Sequence, residues 1–340
     1  MTEMQPWDIT ELHRVATLYY VQEETMGSIA GRLGVSRSTI SRQLKQARAQ
    51  GLVRISVSDL PGSGSLAQQV SATFDLRANV VSVRETATDE HRLAQVARVA
   101  GRALSEWFGS GMALGVAWGS TVSAVMDNLV PKPTRGSQVV QLNGAVNPSS
   151  TATLYVGDLM RRACEGFDAR PVFFPVPTFF DDPGTRQALW RERSIARVVE
   201  LQKRCDIAVF GVGAWDGPVT SHVYAGEYLD AADMAELEGH GVVGDVCTTF
   251  LRQDGSYADI PLNSRGSGPD PAALATIPRR LCVAAGVSRV PILLGALRAG
   301  TITDLFVDEQ TAGELLRRNG AGASLGSAGR GRGAPGGRRG

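Results

Sequence analysis

No apolar run in the 340-residue chain reaches the ~20 residues that a membrane-spanning helix needs. The opening MTEMQPWDIT also lacks the basic-then-apolar order of a secretory signal. A cytoplasmic protein with no membrane partner is expected. Cysteine is scarce: Cys164, Cys205, Cys247 and Cys282 lie far apart, no C-x-x-C occurs, and the four histidines do not gather near them. Reduced, buried thiols are therefore expected, with no metal site and no cofactor. Net charge is only +1, so the molecule is no polycation. Acid is missing from one stretch altogether. Residues 25–58 hold no Asp or Glu but six basic residues, Arg32, Arg37, Arg42, Lys45, Arg48 and Arg54. A local basic patch on a near-neutral chain is the footprint of a DNA-binding module.

The residues present in that stretch fit the footprint. Leu12, Val15, Ala16, Leu18 and Tyr19 recur at helical spacing and give a first helix its inner face. Thr25 is placed to cap a second helix that turns Ile29, Ala30 and Leu33 inward, and Gly34 can end it in the left-handed conformation. Ser36 can cap a third, where Ile40, Leu44 and Ala47 face the core. Arg37, Ser38, Thr39, Ser41, Arg42 and Lys45 are left outward. Arginine can bond guanine bidentately, and Ser or Thr can reach base edges or phosphates. Gly51 should end the helix, and Val53, Ile55 and Val57 alternate with Arg54, Ser56 and Ser58 as a short wing strand would. The pattern predicts a winged helix-turn-helix whose third helix enters a groove. Arg37, Ser38, Thr39 and Arg42 would read bases, Lys45 and Arg54 would mostly hold phosphates, and Ser36 and Ser41 complete the DNA-binding set.

The length points to more than one domain. The Pro/Gly/Ser stretch DLPGSGS at 59–65 separates residues 1–58 from a larger domain at 66–319. Strand-like runs at 78–83, 112–117, 137–142, 206–212, 280–285 and 302–307 alternate with amphipathic helical stretches. The alternation predicts an α/β domain with a mostly parallel sheet covered on both faces. Ligands of such sheets bind beyond the carboxyl ends of the strands. The loop GVAWGST at 115–121 follows one strand and opens a helix, with Gly119, Ser120 and Thr121 offering backbone and hydroxyl groups to an anion. It lacks the Gly-Lys-Ser/Thr ending of a Walker loop. Gly211 and Gly213 form a second glycine loop without a dinucleotide fingerprint. Asp245, Arg265, Asp308 and Glu309 supply polar groups late in the domain; Asp308 and Glu309 equally suit the start of a helix. Residues 320–340 hold four arginines, no acid and almost no apolar bulk, so a disordered tail is expected.

Taken together, SRSTISRQLKQARAQGLV, GVAWGSTV, ARPVFFPVPTFFDDP, CDIAVFGVGAW, GVVGDVCTTFLRQDG, PLNSR and VAAGVSRVPILLGALRAGTITDLFVDEQTAGELL resemble the SorC family of sugar-binding bacterial transcriptional regulators. The resemblance runs to about Asn319. It implies a winged helix-turn-helix joined to an effector domain similar to sugar-phosphate isomerase and CoA-transferase folds. It further implies sugar or phosphosugar effectors and assembly as a homodimer or homotetramer. Carried over by motif, it assigns Gly119, Ser120, Thr121, Gly211, Gly213, Asp245, Arg265, Asp308 and Glu309 to the effector site. Arg289 joins them where the family pattern A-G-G-x-x-K has lysine, and Ser264 stands where L-N-D-R has an acid. The chain has only Lys45, Lys132 and Lys203, none in a matched effector motif, which argues against an imine with an aldehyde sugar. A regulator of a carbohydrate-related operon, binding operator DNA under effector control, is the expected function. The alternative is a sugar-phosphate isomerase-like enzyme with an accessory DNA module, using Asp245, Asp308 or Glu309 as base.

Overall fold

The structure, a computed structural model, describes residues 7–53, 65–146, 152–215, 221–225 and 228–328. The chain divides into two compact units, Met1–Ser63 and Gly64–Gly340. Arg54 and most of the expected wing strand lie outside the described residues, as do the linker up to residue 64 and the tail from 329.

The first unit is built from α1 (Ile9–Tyr20), α2 (Met26–Leu33) and α3 (Arg37–Ala49). The caps form where the sequence places them. The Thr25 side chain accepts from the Ser28 N–H, Gly34 ends α2 at φ 66°, and the Ser36 side chain accepts from the Thr39 N–H. Val15, Leu18, Ile29, Ile40 and Leu44 pack as one core. Gln43, buried on α3, donates to Glu11 of α1 at 2.7 Å and pins those two helices.

The second unit runs α4 (Leu66–Phe74), β1 (Arg77–Val81), α5 (Asp89–Trp107), β2 (Ala113–Val116), α6 (Ser120–Met126), β3 (Gln138–Gln141), α7 (Ala152–Phe167) and β4 (Arg170–Val172). It continues α8 (Pro183–Arg191), α9 (Arg193–Lys203), β5 (Ile207–Gly211), α10 (His222–Ala225), α11 (Ala231–Gly239), β6 (Val242–Val246) and β7 (Thr249–Arg252). It closes with α12 (Pro271–Ala275), β8 (Arg279–Ala284), α13 (Val290–Arg298), β9 (Asp304–Asp308) and α14 (Glu309–Ala328). Seven strands form one sheet in the order β1-β9-β8-β5-β2-β3-β4, and its neighbours pair parallel throughout. Because successive strand residues point to opposite faces, the sheet feeds two cores. Leu114, Val139, Val209, Leu281 and Phe306 meet α5, α6 and α7 on one side. Val140, Phe210, Cys282, Leu305 and Val307 meet α4, α13 and α14 on the other. The four cysteines are free and buried, and burial pushes the Cys164 thiol up to about 11.

Two features depart from the sequence reading. The antiparallel hairpin β6–β7 stands apart from the main sheet. The last helix is also described to Ala328, past residue 320.

A buried ion pair ties the end of the sheet to α5. Arg92, 3% exposed, reaches Asp308 at 3.3 Å and donates to the Glu85 carbonyl at 2.6 Å. Asp308 also accepts from the Gly286 and Thr311 N–H groups at 3.1 Å each. Removing one member of such a pair leaves an uncompensated buried charge. Arg92→Ala is expected to lower the unfolding free energy of the chain by ~3–5 kcal/mol, measured by urea denaturation at neutral pH.

Candidate functional site

On α3 the outward residues are placed as a groove reader requires. Arg37, Ser38, Ser41, Arg42 and Lys45 are exposed, and Thr39 is half-buried. Ser36 is engaged locally: its hydroxyl lies 2.7 Å from that of Ser38 and 2.8 Å from that of Thr39. Those three side chains therefore order the first turn of the helix as well as facing outward. The Arg42 guanidinium lies 6.0 Å from the centre of the Trp7 ring, which restrains the arginine without covering it. No acid interrupts this face of α3.

In the second unit the loops beyond β2, β3, β5 and β8 converge on one recess. Strand order explains its place. The chain leaves β2 towards β3 and β4 but leaves β5 towards β8 and β9 on the other side. The loops after the adjacent strands β2 and β5 therefore diverge and open a crevice at the switch point. Gly119, Ser120 and Thr121 line it from the first loop, Gly211 and Gly213 from the second, Asp245 from β6, and Arg289 from the turn after β8. Gly119 has φ 147°, a conformation that a residue with a Cβ rarely adopts. Gly213 is required by space: a Cβ there would lie 2.0 Å from the Asp245 Oδ1. Close approach lets Gly213 and Asp245 exchange two backbone hydrogen bonds of 2.9 Å.

Asp245 is the electrostatic centre. It is 4% exposed. Its Oδ2 accepts from the Thr248 N–H at 3.0 Å, while its Oδ1 is buried without a hydrogen-bond partner among the described residues. Burial pushes the carboxyl up to about 6, against the pull of the Thr248 N–H, the nearby Tyr224 hydroxyl and the Arg289 guanidinium. Arg289, 7% exposed, donates to the Val212 carbonyl at 2.7 Å, and burial lowers its pKa. Hydroxyls, a buried carboxylate and a guanidinium around one recess match a polyhydroxylated ligand carrying an anionic group.

Three residues expected here lie elsewhere. Arg265 donates to the Phe180 carbonyl and to Asp233, at 2.6 Å each. Asp308 is consumed by the Arg92 pair and by capping α14, and Glu309, the first residue of α14, accepts from Ser82 at 2.9 Å. The second sense of the Asp308-Glu309 pair, a helix start, is the one observed. Conversely, Trp118, Asn143, Ser221, Cys247 and Thr248 line the recess and were not singled out as ligands. Trp118 donates from its indole to the Gly144 carbonyl at 2.8 Å. Cys247 and Thr248 form the β6–β7 turn with φ 49° and 68°.

Comparison with known proteins fits this geometry. Residues 58–317 match the family described as "Putative sugar-binding domain". The deoxyribonucleoside regulator of Bacillus subtilis is 29% identical over 88% of this chain and 95% of its own length. The full-length sorbitol operon regulator SorC of Klebsiella pneumoniae superposes with a TM-score of 0.70 at 25% identity, over 92% of this chain and all of that one. The chain belongs to the SorC family of transcriptional regulators. A further structure, a domain of a possible sugar-binding transcriptional regulator from Arthrobacter aurescens, is 43% identical with a TM-score of 0.70, covering 76% of this SorC-family chain and all of that domain. No helix among the described residues is long and apolar enough to cross a membrane.

The buried carboxylate has a signature in stability. The folded chain holds the Asp245 proton up to about pH 6, whereas the ordinary value is 3.8. Between those values the folded state binds more protons than the unfolded, so stability falls as pH rises through the window, by on the order of 3 kcal/mol. Asp245→Asn keeps an oxygen for the Thr248 N–H and cannot ionise. Its unfolding free energy, compared with the parent's by urea titration, is expected to gain steadily from pH 4 to pH 7. A difference constant across that range would falsify the assignment.

Proposed function

We propose that the chain is an effector-controlled regulator of a carbohydrate-related operon. The α3 helix reads operator DNA, and a sugar or phosphosugar occupies the recess around Gly119–Thr121, Gly211, Gly213, Asp245 and Arg289. The observation that carries this reading is the pairing, in one SorC-family chain, of an acid-free basic helix face with a recess of hydroxyls, carboxylate and guanidinium. Homodimers or homotetramers would place two or more copies of α3 on a roughly palindromic operator, as two-fold helix-turn-helix proteins do. The effector acts by binding one arrangement of the assembly better than another; equal affinity for both would shift nothing. Arg265, Asp308 and Glu309 are not part of the proposed ligand set. The named activities of the relatives, regulation of deoxyribonucleoside and sorbitol genes, support a carbohydrate-class effector here.

Two measurements test the halves separately. In gel-shift titrations, Arg42→Ala is expected to cost ~1–3 kcal/mol on the operator and to relax preference at one base pair, while Lys45→Ala weakens all sequences alike and lowers the salt slope by about 1. Equal weakening by Arg42→Ala on operator and random DNA would remove its base-reading role. In thermal-shift screens with sugars, polyols and their phosphates, the double variant Ser120→Ala, Thr121→Val is expected to lose the stabilisation given by the best ligand. Operator binding without effector should be retained. An intact ligand shift in that variant would move the effector elsewhere.

A further inference from the structure

A second cleft of the α/β unit shares no lining residue with the effector recess. It lies among α8, α9 and α12 and holds about 680 Å³ of empty space. Leu142, Trp190, Val199 and Ile277 give it apolar walls. Its polar lining is Gln202, Lys203, Ser267, Asp270 and, on α8, Arg186. The Arg186 guanidinium stacks on Trp190, with Cζ 4.8 Å from the ring centre. Its Nε is buried with no hydrogen-bond partner among the described residues. Of the other charges on the lining, Asp270 acts on Arg186 through its charge without a hydrogen bond among the described residues, and caps α12 by accepting from the Ala273 N–H at 2.7 Å, while Lys203 pairs with Glu200 at 2.7 Å.

A buried donor without an acceptor carries its full desolvation cost, and a charged one carries more. The stack on Trp190 holds the guanidinium plane in place and leaves its N–H edge for a planar or tetrahedral anion, the partner that suits its fork of donors. The apolar walls suit a hydrocarbon or aromatic body attached to that anion rather than a sugar. The cleft is also close to the effector recess through the chain. Ser267 and Gly268 line the cleft; the Ser267 hydroxyl accepts from the Gly144 N–H at 2.9 Å, and the Gly268 N–H donates to the Thr248 hydroxyl at 3.1 Å, with Thr248 on the recess side.

We propose that this cleft is a second ligand site, taking a small organic anion of the carboxylate or sulfonate class with an apolar body. The anion would sit on the Arg186 edge and the body against Trp190, Val199 and Ile277. The probe is 8-anilinonaphthalene-1-sulfonate, titrated into the full chain and followed by its fluorescence and by tryptophan quenching. The expected result is saturable binding that Arg186→Gln weakens by ~10-fold, the loss of one charge-assisted contact, with no fall in Tm. Val199→Trp, which fills the cleft while keeping the arginine, should also block binding. Ser120→Ala with Thr121→Val, in the other recess, should leave it intact. Three results would overturn the proposal. One is equal probe affinity in the parent and Arg186→Gln. Another is loss of probe binding only in the Ser120, Thr121 variant. The third is an assembly state by sedimentation that weakens with Arg186→Gln, which would assign the guanidinium to an acidic side chain of a second copy.

Discussion

The α/β unit is organised around one buried carboxylate. Asp245 uses one oxygen to hold the N–H of Thr248, and buries the other against Gly213, with the Tyr224 hydroxyl acting on the same carboxyl. The first contact stabilises a turn that its own residues disfavour: Cys247 and Thr248 both have positive φ, and a β-branched residue there is an outlier in unconstrained chains. The Thr248 hydroxyl closes the same knot by accepting from Gly268. Local strain of this kind persists only where surrounding contacts over-determine it. The second oxygen dictates Gly213, since any Cβ would occupy its place. Turn, glycine loop and recess are thus three consequences of one side chain.

The sheet explains why those consequences meet the hydroxyls of the loop after β2. Parallel strands deliver their carboxyl ends to one edge, and the reversal of strand order between β2 and β5 separates their loops. Thr121 packs against Gly211 across that gap, so close that a Cβ on the glycine would lie 3.1 Å from the threonine Cβ. The walls of the recess are consequently held by the fold, not by a ligand. Arg289 is fixed in the same way by the Val212 carbonyl. A preformed site loses less conformational entropy on binding than one assembled by its ligand.

Legibility of the sequence followed the length of each pattern. The three helices of the first unit, their caps at Thr25 and Ser36 and the six long strand-like runs were visible because periodicity and capping are local signals. The hairpin β6–β7 was not. A two-residue turn of its kind is normally announced by Asn-Gly or Asp-Gly, and here Cys-Thr occupies it. With the hairpin hidden, Cys247 read as an ordinary buried thiol and Thr248 as nothing in particular, although both line the recess. Gly119, Ser120, Thr121, Gly211 and Gly213 were legible as loops after strands. Arg265 and Asp308 misled for a physical reason: a charged residue in a late loop looks the same in sequence whether it awaits a ligand or is paired inside the fold. Only the positions of Asp233 and Arg92, distant in sequence, decide that.

The fate of the lysines bounds how a carbonyl-bearing ligand could be held. Lys45 stands exposed on α3 in the other unit. Lys132 donates to the carbonyls of Ser105, Glu106 and Phe108, and Lys203 pairs with Glu200 beside the second cleft. None lines the effector recess. An imine needs a neutral amine within bonding distance of the carbonyl carbon, and the guanidinium of Arg289 stays protonated and supplies none. An imine between a sugar in this recess and a lysine of the chain is therefore excluded. In the proposed function, influence on DNA would then rest on differential affinity, with the Ser120 and Thr121 hydroxyls, the fixed guanidinium of Arg289 and the buried carboxylate of Asp245 as the groups to carry it. The last of these has the most to gain. A ligand hydroxyl that joins the Tyr224 hydroxyl and the Thr248 N–H on this buried carboxylate adds a hydrogen bond to a charged group, which contributes about 1.5–3 kcal/mol.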